Sequence, residues 1–297
     1  MSEKKIGKSA FTIQWLQETL QNEIGTKACI EDVSSTQIGY GKGFMSTILI
    51  VTISWNSDDK NLPASVALKI PDASKLEEAL NRVDEGDMKD TMKKIDFSKM
   101  PLFKIHHCEV SVYDVFRKWP PIGLKVPRCY YGRDLSSEEP GVLILEDLSH
   151  GAGTMFIDGL TVGQMFQIAE AVAALHAYSL SNKEWLKKGI NNNFVNLHNP
   201  EHPSLDVFVK VMAQQLKAAK PDLFDPLADK CLELCKSMED VAYIYSLNEQ
   251  MGLPDVLVCG DLHAQNLLWV KDESGTPSDE LMAVLDWQPQ PIPDLVQ

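Results

Sequence analysis

Val256–Trp269 reads VLVCGDLHAQNLLW, and Ala283–Gln288 reads AVLDWQ. Asp261 and Asn266 stand five apart, the Asp-to-Asn spacing of a phosphoryl-transfer catalytic loop. The chemistry needs both residue types. A carboxylate orients the acceptor hydroxyl and takes its proton, and a neutral amide oxygen helps to hold a metal ion. The apolar runs LLWV and MAVL lie on either side of a polar turn, KDESGTPSDE. That pattern predicts a β-hairpin returning Asp286 to a strand end beside Asn266, where a second Mg²⁺ ligand belongs.

Working outward, Lys69 lies inside an apolar strand pattern, SVALKI (Ser65–Ile70), on the face of Ala67 and Ser65. A lysine in such a strand is costly to bury unless it meets an anion, and V-A-L-K is close to the V-A-I-K pattern that holds nucleotide phosphates. Glu109, in HHCEVSVYDVF, shares a helix face with Val112, Tyr113 and Phe116. A carboxylate on an apolar stripe needs a cation, and Lys69 is the natural one. Upstream, GYGKGFMS supplies Gly39, Gly41, Gly43 and Ser46, a stretch whose backbone can approach phosphate oxygens or simply turn a hairpin. It is not a Walker A loop, because no G-K-[ST] follows at the required spacing.

The rest of the chain sets the context. It has 297 residues, 44% hydrophobic, enough for one large domain or two lobes sharing a cleft. Its net charge of -14, without a basic stripe, argues against a nucleic-acid partner. No apolar run has signal-peptide or membrane-spanning length, so a cytoplasmic location and no membrane partner are expected. The six cysteines are scattered, as in a reducing compartment, and Cys231 and Cys235 fall on an apolar helix stripe with Leu227, Met238, Val241 and Tyr245.

Strands are expected at Ser46–Trp55, Ser65–Ile70 and Gly141–Leu145, with short helical patterning in SKLEEALNRV, residues 74–83. The polar, glycine-containing EDLSHGAG, Glu146–Gly153, reads as a hinge. Val162, Met165, Phe166, Ala169, Val172, Ala173 and His176 predict a long amphipathic helix, with His176 buried against a backbone carbonyl. A further helix is expected over Pro226–Asn248, and Trp269 and Trp287 are expected to pack around the hairpin. His263, inside the catalytic loop, is placed to shape that loop or to approach the transferring phosphate.

GDLHAQN followed by LDWQ resembles the choline kinase and aminoglycoside phosphotransferase superfamily. Together with LPASVALKIP, CEVSVYDVF, LILEDL and IGYGKGFMSTI, it is most similar to the CHK-kinase-like (ecdysteroid-kinase-like) branch, particularly its uncharacterised nematode members, over nearly the whole chain. The resemblance implies an α+β, bilobal protein-kinase-like fold: an N-lobe of antiparallel sheet plus helix over 1–145, a hinge over 146–153, and a mostly helical C-lobe over 154–297. It implies ATP and Mg²⁺ as cofactors and a small-molecule hydroxyl as phosphate acceptor. Residue by residue, Lys69 becomes the phosphate lysine, Glu109 its partner, Asp261 the catalytic base, and Asn266 and Asp286 the Mg²⁺ ligands. The glycine stretch becomes the nucleotide loop, and Leu145–Leu148, with Glu146 and Leu148 as its site residues, becomes the hinge that meets the adenine.

Two positions depart from the family. Cys259 stands where these families often place a His, and only 11 residues follow Asp286, where the family continues with several helices. A C-terminally truncated, incomplete C-lobe is therefore expected, with lowered stability and slow or absent turnover. The rival reading is a catalytically inactive nucleotide-binding or scaffolding pseudokinase. A protein kinase fits less well, since no activation segment follows Asp286.

Overall fold

The structure is a computed structural model and describes residues 4–39, 46–72, 102–153, 159–188, 213, 216–218, 220–237 and 250–287. The expected α+β plan, an antiparallel sheet with helices, is what it shows. Helix α1 (Ile13–Ile24) precedes strands β1 (Ile30–Ile38), β2 (Ser46–Trp55) and β3 (Ser65–Pro71), and helix α2 (Leu102–Lys118) precedes β4 (Cys129–Arg133) and β5 (Val142–Glu146). These strands form an antiparallel sheet in the order β1-β2-β3-β5-β4. A short strand β6 (Ala152–Gly153) then joins β7 (Leu267–Lys271) and β8 (Pro277–Val284) in a second, three-stranded sheet. Helices α3 (Val162–Ser181), α4 (Glu184–Lys187) and α5 (Pro221–Ser237) and one 3₁₀ turn (Ala264–Asn266) complete the described elements.

Alternation along the central strands divides the core in two. Val66 and Leu68 of β3, Leu49, Val51 and Ile53 of β2, and Val142 and Ile144 of β5 pack with Leu16 and Leu20 of α1. The opposite face carries Leu143, Leu145 and Ala67 against Val112, Tyr113 and Phe116 of α2. That second core runs on without a break into Leu267, Trp269, Val284 and Trp287 of the hairpin and Leu175 of α3. One buried cluster therefore joins the two sheets.

Strands β2, β3 and β5 lie where the apolar runs place them. The strands that the pattern reading left unassigned, β1 and β4, are the two edges of the sheet. An edge strand buries less, so its sequence (IEDVSSTQI, CYYGR) carries weaker alternation.

Helix α3 needs a correction, because its buried face is not the expected one. Val162, Met165 and Phe166 are exposed, Phe166 by 68%, while Gln164, Ala171, Leu175, Tyr178 and Ser179 point inward. Polar contacts set this rotation. Gln164 closes a capping box with Thr161 and donates to Ser278 O at 3.0 Å, and Thr161 Oγ1 donates to Asp279 at 2.5 Å. Gly163 lies so near Asp279 that any Cβ there would collide with its carboxylate. With its first turn pinned to β8, the helix turns its N-terminal apolar side outward. His176 is only half-buried; the buried histidine bonded to a carbonyl is His106 of α2.

Helix α5 begins five residues earlier than expected, at Pro221, a residue suited to a first helical turn. Leu227 is exposed and its neighbour Ala228 is buried. The remainder of that predicted helix (238–248) and the SKLEEALNRV segment lie outside the described residues. Among the described residues, Cys29, Cys108, Cys129 and Cys259 are free thiols. No described helix is long and apolar enough to cross a membrane.

Trp287 joins the hairpin to α2 within the second core. It is 1% exposed, stands edge-on to Phe116 with ring centroids 5.1 Å apart, and donates its Nε1–H to Val284 O. Trp287→Ala removes the ring contact with Phe116 of α2, and should cost about 3–5 kcal/mol of folding stability. Chemical denaturation of the two proteins checks this; a loss under about 1 kcal/mol would mean that the joint is not where the stability lies.

Candidate active site

Lys69 sits on the α2 face of β3, paired across the ladder with Ile48 on one side and Leu143 on the other. Its Nζ lies 2.7 Å from Glu109 Oε1 and 2.5 Å from Asp286 Oδ1. The lysine side chain is 13% exposed and that of Glu109 4%. Burial by itself would lower the lysine pKa, but the charges of Asp286 and Glu109 hold it well above the ordinary value. The backbone N–H of Trp287 also acts on the Glu109 carboxylate and favours its charged form. Its carboxyl is nevertheless pushed up to about 7, because burial outweighs the pull of Lys69 and Asp286 adds a like charge.

Asp286 reaches the lysine from the far end of the chain. The expected hairpin is present: β7 and β8 pair in antiparallel register, and Leu285 N donates to Asn266 O at 2.8 Å where the strands part. The chain then turns at Asp286 with φ of 57°, the one left-handed non-glycine residue among those described. Aspartate tolerates that conformation better than most residues, and such backbone outliers cluster at functional sites. Trp287, buried directly after it, fixes the turn.

The Asp261–Asn266 segment closes on itself. Asp261 O accepts from His263 N at 3.0 Å, His263 O accepts from Asn266 N at 2.9 Å, and Asn266 Nδ2 donates to Asp261 O and Oδ2 at 2.9 and 3.2 Å. The amide oxygen of Asn266 is thereby turned away from Asp261. His263 caps the single 3₁₀ turn Ala264–Asn266 by accepting from Gln265 N, and its Nε2 lies 3.6 Å from Asp261 Oδ2. It therefore shapes the loop. Asp261 keeps 45% of its side chain exposed, so a solute can reach it. Cys259 is buried, with its thiol pushed up to about 11 by burial, so it packs and is no nucleophile.

The glycine stretch is placed in part. Gly39 ends β1 with φ of 70°, which a glycine adopts without strain, and Ser46 opens β2 opposite Pro71, two residues beyond Lys69. Gly41 and Gly43 lie outside the described residues. At the hinge, Glu146 accepts from Arg128 N and Leu148 O accepts from Gly151 N. Between them, Asp147 accepts a 2.6 Å hydrogen bond from Ser65 Oγ, tying the hinge to the start of the lysine strand. The sequence reading missed that tie, because nothing local connects positions 65 and 147.

The donor set suits Mg²⁺. One carboxylate and one amide oxygen are hard ligands, and Mg²⁺ keeps several waters or phosphate oxygens in its shell. Above about pH 7, where Glu109 is ionised as well as Asp286, the cluster carries an excess negative charge that a divalent cation would offset.

The chain is 24% identical over 299 residues to the uncharacterized oxidoreductase dhs-27 of Caenorhabditis elegans, covering 95% of this chain and 33% of that protein. It is 26% identical over 248 residues to an uncharacterized kinase-like protein of the same organism, covering 81% of this chain and 58% of that one. It thus spans a third of the first relative's length and under two thirds of the second's. The present sequence holds no G-x-G-x-x-G dinucleotide fingerprint. Similar solved structures include the GDP and kanamycin complex of APH(2")-IIia, at 13% identity and a TM-score of 0.40, covering 94% of this chain and 74% of that one. A thermostable aminoglycoside phosphotransferase mutant, in ternary complex with AMP-PNP and hygromycin B, has 13% identity and a TM-score of 0.37, covering 92% of this chain and 70% of that one. Residues 8–293 match the family DUF1679, described as "Uncharacterized oxidoreductase dhs-27", and the chain belongs to that family.

Proposed function

We propose that the chain is an ATP- and Mg²⁺-dependent phosphotransferase that moves the γ-phosphoryl group to a hydroxyl of a small molecule. The observation that carries this reading is the Lys69 ammonium held between Glu109 and Asp286, with the Asp261–Asn266 loop hydrogen-bonded to the chain leading into Asp286. In this reading Lys69 binds the α- and β-phosphates, and Glu109 fixes where its ammonium points. Asn266 and Asp286 would hold Mg²⁺, whose part is to neutralise charge on the phosphate oxygens. Asp261 orients the acceptor hydroxyl and takes its proton, and its exposure leaves room for that acceptor. The hinge at Glu146–Leu148 and the glycine stretch with Ser46 would border the nucleotide.

Lys69→Ala removes a charge-assisted contact and should weaken ATP-Mg²⁺ binding by about 1.5–3 kcal/mol in calorimetry. Equal affinities would take Lys69 out of the site.

Asp261→Asn keeps the side chain's shape but cannot accept a proton. Turnover in a metabolite-library screen should fall by roughly 10²–10⁴-fold with ATP affinity unchanged. Undiminished turnover would overturn the assignment of the base.

The raised Glu109 carboxyl carries a pH signature. The native state keeps a proton that the unfolded chain, with an ordinary value of 4.5, has already released. The stability from the neutral acid is therefore full below 4.5 and lost as pH rises through about 7. Glu109→Gln should flatten the fall in melting temperature across that window. Parallel profiles for the two proteins would show Glu109 ionised throughout.

A further inference from the structure

The ion pair between Lys69 and Glu109 requires α2 to lie at one height over the sheet, and three contacts along one side of that helix set this height. Glu109 meets Lys69 on β3. One residue on, Val110 lies against Gly132 of β4, where a Cβ would come within 3.2 Å of the Val110 methyl Cγ1. Lys69, Leu143 and Gly132 form a single row across β3, β5 and β4, so both contacts fall on the same line of the sheet. The third contact is one turn before Glu109. His106, 4% exposed, places Nε2 at 2.8 Å from Arg133 O, the next residue along β4.

The His106 site is built to hold a ring. A Cβ on Gly141 would come within 2.7 Å of both Cδ2 and Nε2 of His106, so only glycine lets the imidazole reach the strand end. Burial lowers the His106 pKa, so the ring is neutral and its Nε2 carries the hydrogen donated to Arg133 O. The acceptor is itself anchored. Arg133 Nε donates to Pro140 O at 3.1 Å, and its guanidinium lies over the rings of Phe11 and Trp15. The neighbouring His107–Asp134 contact is half exposed at both ends and holds the helix weakly by comparison.

We propose that His106 is a positioning residue: its ring, seated on Gly141 and bonded to Arg133 O, latches α2 to the β4–β5 corner and so keeps Glu109 against Lys69. The latch follows from the packing of this chain. Only its consequence for nucleotide binding rests on the phosphotransferase reading. A buried charge pair depends on fixed geometry, and a helix released at one end no longer supplies it.

The test reads Lys69 directly, as the rate at which its amine is acylated by an amine-reactive ester in the folded protein, followed by peptide mass spectrometry. His106→Ala and Gly141→Ala should each raise that rate about fivefold or more, the worth of one lost hydrogen bond. His106→Gln, whose amide nitrogen falls near the Nε2 position, should restore the parent rate, and His107→Ala should leave it unchanged. In a Glu109→Gln background, adding His106→Ala should give no further increase, because the latch acts through Glu109. An unchanged rate in His106→Ala and Gly141→Ala, or the same increase with and without Glu109, would overturn the proposal. ATP-Mg²⁺ affinity measured on the same variants should fall in step with the acylation rate. If the parent binds no ATP, the phosphotransferase reading fails while the acylation rates still decide the latch. If His106→Ala does not fold, Gly141→Ala and His106→Gln carry the comparison.

Discussion

A single ammonium group, that of Lys69, is held between carboxylates 40 and 217 positions further along the chain. Removing that charge from water is costly, and leaving either carboxylate unpaired would cost more. The cluster therefore constrains everything that carries its members: the height of α2 over the sheet, the register of β3, and the left-handed turn at Asp286 that follows the hairpin. The two carboxylates are not equivalent. Glu109 lies deeper and is pushed towards its neutral form, while Asp286 stands nearer the surface.

The hydrophobic framework serves that constraint. Core residues of α2, β5, the hairpin and α3 form one cluster, so the strand with Lys69 and the strand end with Asp286 are not independent bodies. Trp287 is the clearest example. Its ring packs on Phe116, seven residues along α2 from Glu109, while its backbone N–H favours the charged Glu109 carboxylate. Packing and charge placement are performed by the same residue.

Much of the candidate site's grouping could be read in the sequence because its residues break local rules. A lysine inside SVALKI and a glutamate on the stripe of Val112, Tyr113 and Phe116 each demand an opposite charge, and the Asp261–Asn266 spacing is set by a short self-closing loop. Features that depend on distant partners could not be read this way. The face of α3 is chosen by Ser278 and Asp279 on β8, over a hundred positions away, and the apolar period of that helix alone favoured the wrong side. The Ser65–Asp147 tie and the seat of His106 on Gly141 likewise join residues that look ordinary one at a time.

From the sequence by itself came strands β2, β3 and β5, helices α2 and α3, the hairpin, and the identity of the charged residues. These depend on period and on the cost of burying charge, which are properties of short segments. Tertiary structure alone decided that Asp286 joins Glu109 on Lys69, how far α2 descends onto the sheet, and which side of α3 faces inward. Each of those depends on the close approach of surfaces far apart in the chain, through glycines at 132, 141 and 163 that leave space only once a partner fills it.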